Sequence, residues 1–306
     1  MSDFPAIPHV ALIGNVNVDM IMGPQEPWPR AGTEVVLPDY ELRVGGQAGN
    51  AALALQAVGV PMRLITNVGN DILGRWLQES FGESAKTWRI AECPTCISIG
   101  MTHPNGERTF FTYAGHLDLF GPDDVLPFLP KRAADGSVAL LVAVFLSPPF
   151  MAALPEIIFA LKAANYHIAL DTGWPPQGWT DSIVEAYAAW LGEIDTLLIN
   201  EVEVTALAKT DAPDEAVARI RKMMRPDATF VIKRGPDGAS AWRADESASA
   251  AAPKVVVADS VGAGDVFNVG FLRAELRGAS LADAVKEAVT FASAVIATRP
   301  RRYDVG

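Results

Sequence analysis

The chain has 306 residues, a length that fits one large domain or two small ones. Half of the residues are hydrophobic, which allows a sizeable core, and the formal net charge is −11 at pH 7. Because nucleic-acid binding depends on neutralising phosphates with Lys and Arg, this acidity argues against a nucleic-acid partner. The longest apolar run, Val138–Leu146, is too short to span a bilayer, so we expect no membrane insertion.

The amino terminus and the cysteines favour a cytoplasmic location. The first residues, MSDFPAIPHV, lack the basic and apolar regions of a signal peptide. Cys93 and Cys96 form a single C-P-T-C without the second pair or nearby His of a metal site, so we expect two ordinary reduced thiols. A low cysteine content is typical of a reducing compartment. We therefore expect a cytoplasmic soluble protein.

The first predicted strand leads into polar residues suited to ligand binding. His9–Ile13 is a short apolar run that predicts a buried strand. Asn17 and Asp19 follow it, and ligands collect beyond the carboxyl ends of strands in open α/β sheets. The glycine-rich stretch GGQAGN at 45–50 then opens an alanine-rich helix predicted over Ala51–Val58.

Two segments show the alternation of strands with one exposed face. Tyr40–Val44 alternates between apolar and polar residues, and Cys96–Tyr113 alternates on both sides of Pro104-Asn105-Gly106, a strong hairpin signal. Such alternation is typical of antiparallel strands. We predict that segments of about 17–44 and 95–114 form a small β-sheet, which covers the carboxyl ends of the main strands as a lid.

The rest of the chain alternates strands with helices. This order implies parallel pairing, and the predicted fold class is α/β, with a doubly wound, mostly parallel, Rossmann-like sheet. Since no low-complexity linker or repeat interrupts the sequence, we expect residues 1–306 to form one domain with the lid inserted. The further predicted strands are Met62–Thr66, Val138–Leu146, His167–Asp171, Thr196–Asn200, Thr229–Lys233, Ala239–Arg243 and Val255–Val257, and the predicted helices lie at about 151–165, 181–192, 213–224, 264–277 and 280–297.

The turn before the penultimate helix is the main anion site that the sequence offers. A G-x-x-x-x-G-K-[ST] motif is missing, and so is a G-x-G-x-x-G after the first strand, which excludes a P-loop and a standard dinucleotide site. Gly262, Ala263 and Gly264 are small enough for the backbone to approach a ligand, and the first helical amides favour an anion. Asp265 lies at this electropositive place, where it could take the proton of an attacking hydroxyl. A carboxylate that stabilises the helix dipole is the structural alternative.

Three motifs in order resemble the ribokinase-like (PfkB) family of carbohydrate kinases. They are G-G-Q-A-G-N at 45–50 with Gly59 and Gly69 downstream, N-E-V-E at 200–203, and D-S-V-G-A-G-D-V-F-N-V-G-F at 259–271. Each motif is moderately specific, and the three in order on a βα background are highly specific. The resemblance implies a ribokinase-like fold and an ATP-dependent sugar kinase, which transfers the γ-phosphoryl group to a primary hydroxyl.

The resemblance also implies roles for the matching residues. Asp265 falls on the general base, and Gly262, Ala263 and Gly264 fall on the anion hole that stabilises the phosphoryl oxygens. Glu203 falls on the position that holds Mg²⁺, often through water, and Asp259 on a possible site for a monovalent cation such as K⁺. The implied substrate-binding residues are Asn17, Asp19, Gly45, Gly46 and Asn50, and the implied nucleotide-binding residues are Asn200, Lys233, Gly235, Gly238 and Asn268.

Ordinary structural roles remain open for several of these residues. Asn17 and Asp19 could be turn residues that close a strand, and Asn50 could cap a helix. Asn200 and Glu203 could belong to a solvated helix start, and Lys233 could be a surface lysine.

Departures from the family pattern leave the acceptor open. Val138–Leu146 lacks the Glu that many ribose-specific members carry near its end, and T-G-W-P-P follows Asp171 where relatives often have Asn and Arg. A nucleoside kinase or a sugar-phosphate kinase on the same fold is the alternative, with Arg43 and Arg108 as candidates for binding a second phosphate. A non-catalytic sugar or nucleotide sensor is less favoured, because a pure binder has no use for Asp265. We also expect a homodimer that forms through the apolar face of the lid.

Overall fold

The computed structural model describes residues 7–26, 28–104 and 108–305. Within these ranges the chain forms fourteen strands and nine α-helices. The strands are β1 (Val10–Ile13), β2 (Asn17–Met22), β3 (Tyr40–Gly45), β4 (Met62–Ile65), β5 (Asn67–Gly69), β6 (Arg89–Ala91), β7 (Ile97–Thr102), β8 (Arg108–Tyr113), β9 (Val138–Val142), β10 (His167–Asp171), β11 (Thr196–Asn200), β12 (Thr229–Lys233), β13 (Ala239–Arg243) and β14 (Glu246–Ala250). The helices are α1 (Gln47–Ala57), α2 (Ile72–Phe81), α3 (Pro122–Val125), α4 (Pro148–Ala163), α5 (Asp181–Leu191), α6 (Glu201–Ala208), α7 (Pro213–Met223), α8 (Ala263–Leu276) and α9 (Leu281–Ile296).

Eight strands form the main sheet, in the order β14-β13-β12-β11-β10-β9-β1-β4. The six strands from β12 to β4 are parallel, and β13 and β14 add an antiparallel edge. Parallel strands that are covered on both faces need apolar side chains on both, and every residue of β1 and β9 is buried. The predicted α/β fold with a mostly parallel sheet is confirmed.

Helices cover both faces of the main sheet. Val10 and Leu12 of β1 join a core with α1, α2, α8 and α9, whereas Ala11 and Ile13 join a second core with α4, α5, α6 and α7. This division follows from the period of two along a strand, which sends successive side chains to opposite faces. In the described part of the chain, no helix is long and apolar enough to cross a membrane.

A separate four-stranded sheet, called the lid sheet below, has the order β3-β2-β7-β8. The predicted small sheet is therefore confirmed, although its pairing is mixed. The β2–β3 and β7–β8 pairs are antiparallel as expected, but β2 and β7 run parallel because they come from two separate segments. The predicted hairpin residues Asn105 and Gly106 lie outside the described residues.

Several element boundaries differ from the prediction. Val255–Val257 is not a strand, and its three valines are exposed by 38% to 88%. The edge position belongs to β14, which pairs with β13 after a tight turn in which Ala244 has a φ of 48°. Helix α1 begins at Gln47 instead of Ala51. Helix α6 was not among the predicted helices, although a helix start at Asn200 and Glu203 was the alternative to a binding role.

Candidate active site

The glycine turn before α8 is shaped by close packing. Gly262 has a φ of 73°, and a Cβ there would lie 2.8 Å from Asn50 Nδ2 and 3.0 Å from an Arg301 nitrogen. Both the backbone conformation and the available space therefore require glycine. The Ala263 amide donates to the Ser260 carbonyl at 3.2 Å, so it is already engaged within the turn. The first amides of α8 remain without helical acceptors, as at any helix start.

Asp265 lies in the first turn of α8 and is only 6% exposed. Its carboxylate accepts a hydrogen bond from Asn50 Nδ2 at 2.9 Å. Burial and the negative charge of Asp171 raise the pKa of Asp265 to about 7, against the opposing effects of Asn50 and Lys233. A carboxyl group with a pKa near neutrality is suited to general-base catalysis.

The predicted substrate-binding residues Asn17 and Asp19 form a hydrogen-bonded row with Asn15 beside the start of α1. Asn15 Nδ2 donates to Asn17 Oδ1 at 3.1 Å, and Asn17 Nδ2 donates to Asp19 Oδ1 at 2.7 Å. All three side chains are buried. A Cβ on Gly45 would come within 2.2 Å of the Asp19 carboxyl, and one on Gly46 within 2.5 Å of the Asn15 carbonyl. The two glycines therefore let the backbone lie directly against this polar row.

Asn15 is a site residue that the sequence-based reasoning missed. Its Oδ1 accepts the backbone amide of Gln47 at 3.0 Å and so holds the first turn of α1. Its position directly beyond the predicted first strand was the available signal.

A second polar group joins β10, β12 and α8. Lys233 Nζ donates to Asp171 Oδ2 at 2.6 Å and to Asn268 Oδ1 at 3.3 Å, while Asn268 Nδ2 donates to the same Asp171 oxygen at 2.6 Å. Burial acts to lower the pKa of Lys233, but the charges of Asp171, Glu203 and Asp265 outweigh it and raise that pKa. The lysine is thus a paired cation whose side chain is only 13% exposed, which does not fit the alternative of a surface lysine.

Asp171 is another functional candidate that the sequence-based reasoning did not assign. It ends a correctly predicted strand, at the same edge as Asn200 and Lys233. That shared position is the signal that could have identified it.

Asn200 and Glu203 form a reciprocal capping box at the start of α6. The backbone amide of Asn200 donates to Glu203 Oε2 at 2.9 Å, and the backbone amide of Glu203 donates to Asn200 Oδ1 at 2.9 Å. The helix-start alternative is therefore observed, but this start is not solvated, because Glu203 is only 3% exposed. Burial and the charge of Asp171 raise the pKa of Glu203 to about 7. The metal-binding role of Glu203 stays a prediction.

A cavity of about 640 Å³ lies beside the glycine turn. It brings together five of the predicted phosphate- and nucleotide-binding residues, Lys233, Gly235, Gly238, Ala263 and Gly264. Most of its remaining wall is apolar and includes Phe267. Asn200 and Asn268 are not among its lining residues. An apolar cavity with a lysine and a helix start at one end fits a ligand with a flat ring and an anionic chain.

Asp259 is surrounded by guanidinium groups. Arg43, Arg108 and Arg301 all form ion pairs with its carboxylate. Burial acts to raise the pKa of Asp259, but Arg301 and Arg43 outweigh this effect and hold the pKa below its ordinary value. The monovalent cation stays a prediction, and three guanidinium groups on one carboxylate argue against it. Among the described residues, no group of three or more His, Cys, Asp or Glu side chains could hold a metal ion.

Comparisons with known proteins identify the family of this chain. The family model described as pfkB family carbohydrate kinase matches residues 8–302. A fructokinase of Klebsiella pneumoniae is 26% identical, over 78% of this chain and 80% of the fructokinase. A nucleoside kinase of Methanothermobacter thermautotrophicus is 27% identical, over 92% of this chain and 86% of that protein.

Solved structures show the same fold at lower identity. The Arabidopsis thaliana ribokinase complexed with ribose and ATP has a TM-score of 0.76 and 22% identity, covering 96% of this chain and 94% of the ribokinase. The adenosine kinase from Sinorhizobium meliloti has a TM-score of 0.79 and 21% identity, covering 96% of both chains.

Proposed function

The chain belongs to the pfkB family of carbohydrate kinases, and from this premise we propose that it transfers the γ-phosphoryl group of ATP to a primary hydroxyl of a carbohydrate. Asp265 is the proposed general base. The observation that carries this proposal is the placement of one buried carboxyl group, with a pKa of about 7, on the first turn of α8 directly after Gly262–Gly264. A base and an anion-binding turn are thereby available within four consecutive residues.

In the proposed reaction, Asp265 accepts the proton of the acceptor hydroxyl as its oxygen attacks the γ-phosphorus. The bond from that phosphorus to the bridging oxygen breaks, and ADP leaves with the bonding electron pair. Amides at the start of α8 and the ammonium group of Lys233 would stabilise the charge on the phosphoryl oxygens. The side chain of Asn50 donates to Asp265 and so would orient the base.

The polar row beside α1 is the proposed acceptor site. Asp19 can accept hydrogen bonds from two neighbouring hydroxyls, and the amide of Asn50 can both donate and accept. The buried positions of Asn17, Asp19 and Asn50 support this assignment, because buried polar groups without partners are costly. The acceptor would supply partners for their remaining hydrogen-bonding capacity.

ATP and Mg²⁺ are the proposed cofactors. The 640 Å³ cavity would take the nucleotide, with its phosphates toward Gly264 and Lys233. Mg²⁺ is typically held by one or two carboxylates together with substrate phosphates, where it neutralises their charge. Glu203, acting through water, and Asp171 would hold it, since a cation between these two carboxylates would relieve their mutual repulsion. K⁺ is not among the proposed cofactors, because three arginines already neutralise the carboxylate of Asp259.

The lid sheet supports a proposed homodimer. Successive residues of its strands alternate between a polar face that carries Asp19 and an apolar face. On the apolar face Tyr40, Leu42, Phe111 and Tyr113 are exposed by 39% to 68%. A contiguous exposed apolar patch of this kind marks an interaction surface. We propose that two copies pair through it, and a cytoplasmic location stays our expectation.

The proposal is tested by measuring ADP release with ATP and Mg²⁺ across a panel of sugars, sugar derivatives and nucleosides. We expect turnover with at least one acceptor, and Asp265→Asn should lower kcat by about 10²- to 10⁴-fold because it removes the base. A variant with near-normal kcat would show that the assigned base is wrong. Preferred turnover of nucleosides, for which the similarity to a nucleoside kinase gives a reason, would favour the alternative acceptor class. Ligand binding without transfer in the wild type would favour a sensor.

A further inference from the structure

Three arginines from distant parts of the chain converge on Asp259. Arg108 Nη2 donates to Asp259 Oδ1 at 2.8 Å, and Arg301 Nη2 donates to Asp259 Oδ2 at 2.6 Å. Arg43 Nη1 donates to the same Oδ2. Arg108 also donates to Ser260 Oγ at 2.9 Å. The lid sheet, the loop before α8 and the segment after α9 therefore meet at one carboxylate.

This cluster holds more positive charge than Asp259 neutralises. The side chains of Arg43, Arg108 and Arg301 are exposed by only 13%, 17% and 6%. The other carboxylate in contact is Glu41, whose Oε1 lies 3.8 Å from Arg43. Buried charges are costly unless they are paired and hydrogen-bonded, so three largely buried guanidiniums that share Asp259, with Glu41 at a longer distance from one of them, can accommodate a further anionic oxygen.

The unused hydrogen-bond donors confirm this imbalance. Five buried nitrogens of the cluster have no well-aligned hydrogen-bond acceptor among the described residues, although Arg301 has a further polar neighbour, the hydroxyl of Tyr303. These nitrogens are Nε and Nη2 of Arg43, Nε of Arg108, and Nε and Nη1 of Arg301. Guanidinium groups present donors in a fork that matches the oxygens of a carboxylate or phosphate. A ligand that carries such a group would satisfy them.

The cluster borders the proposed acceptor site. Arg43 is the direct cross-strand partner of Asp19, so both side chains share one face of the lid sheet. Burial raises the pKa of Asp19, and the charges of Arg43 and Arg301 are close enough to oppose that rise. On the other side, a nitrogen of Arg301 lies 3.0 Å from the position of a Cβ on Gly262. The arginines are thus placed between the acceptor-binding face of the lid and the phosphate-binding turn.

We propose that Arg43, Arg108 and Arg301 bind an anionic substituent, a carboxylate or a phosphate group, on the acceptor substrate. The acceptor class is then a sugar acid or a sugar phosphate instead of a neutral sugar. This inference rests on the proposed function, since it places the anion on the molecule that Asp265 deprotonates. The nucleotide is the less suitable source of the anion, because the three arginines are not among the residues that line the 640 Å³ cavity.

The test compares acceptors that differ only in their anionic group. Gluconate is paired with glucitol, and fructose 6-phosphate with fructose, so that the two pairs distinguish a carboxylate from a phosphate. We expect kcat/KM for the anionic member of one pair to exceed that of its neutral partner by at least about tenfold, as one charge-assisted pair allows. Arg43→Met and Arg108→Met should each lower kcat/KM for the anionic member much more than for its neutral partner, and so remove most of that preference. Arg302→Met is the matched control, because Arg302 is exposed and pairs with Asp304.

The outcomes separate this inference from the proposed function. Preferred turnover of the neutral members, or an unchanged preference in both arginine variants, would overturn the anion site. Either result would still agree with the proposed kinase activity. If none of the four compounds is phosphorylated, the unfolding midpoint is measured with each compound while a non-hydrolysable ATP analogue is bound. Stabilisation by an anionic member that Arg43→Met abolishes would then support the anion site. Equal shifts within both pairs would overturn it.

Discussion

The buried carboxyl group of Asp265 makes the protein less stable at pH values at which the group is ionised. Its pKa rises from 3.8 in the unfolded chain to about 7 in the folded one, so the folded state binds the proton more tightly. This contribution to stability is therefore fully present below pH 4 and is lost as the pH rises through about 7. At about 1.4 kcal/mol per pKa unit, the buried charge costs up to about 4 kcal/mol above pH 7.

We therefore expect Asp265→Asn to be more stable than the wild type at pH 8, by about 1–4 kcal/mol, and to lose this advantage near pH 4. Urea unfolding at a series of pH values measures the difference. Asp181→Asn is the matched control, because Asp181 is exposed and its pKa is lowered by Lys209, which gives an effect of opposite sign. An Asp265→Asn advantage that does not depend on pH would contradict the assigned pKa.

Single residues were predictable where a local motif contains them. Asp265 and Asp19 stand beside glycines or at a strand end, and these neighbours are visible in the sequence. Arg301 has no such neighbours, and the strand-end position of Asp171 does not show which side chains it meets. Both residues gain their roles from partners far along the chain. The Asp171–Asn268 hydrogen bond spans 97 residues, and the Arg301–Asp259 pair spans 42. Such pairs form only when the tertiary fold brings them together.

At the scale of the element, the glycine at each end of α8 gives a direct test of the phosphate-binding turn. Gly262 and Gly278 have nearly the same φ, 73° and 72°, but a Cβ on Gly278 would meet no atom within 4 Å. Gly278→Ala should lower the stability by about 1–2 kcal/mol, because alanine is strained in the left-handed backbone conformation, and it should keep the kcat of the wild type. Gly262→Ala should cost more stability and lower kcat by at least about tenfold, because the added methyl displaces Asn50 or Arg301. Equal kcat values for the two variants would contradict the role of the turn.

Strands were predictable when burial alone determines them. The central strands β9 to β12 are continuous apolar runs, and three of the four have the predicted bounds. Val255–Val257 has the strongest β propensity nearby, yet it pairs with no strand, and Val255 and Val257 line the 640 Å³ cavity. The weakly apolar β14 pairs because a tight turn returns it alongside β13. Propensity therefore fails at the sheet edge, where pairing depends on turn geometry.

At the scale of the whole molecule, the exposed apolar face of the lid predicts an association that single substitutions should disrupt. We expect the wild type to sediment as a dimer and Leu42→Glu to sediment as a monomer, because a charge buried at an interface is costly. Phe159→Glu is the control, since Phe159 is 76% exposed on α4 and lies outside the lid sheet. A wild-type monomer at all concentrations, or a Leu42→Glu dimer, would contradict the proposed interface.

The division into two sheets has a consequence for how this molecule can diverge. The groups proposed for phosphoryl transfer lie on β10, α6, β12 and α8, and because their side chains are largely buried they tolerate few substitutions. The groups proposed to select the acceptor lie largely on β2, β3 and β8 of the lid sheet, where many of the neighbouring strand positions are partly or fully exposed. Mutations in the lid strands can therefore alter which molecule is accepted without disturbing the chemistry. Substitutions at a few positions of the lid strands could therefore give related proteins different acceptor substrates while the phosphoryl-transfer groups stay the same.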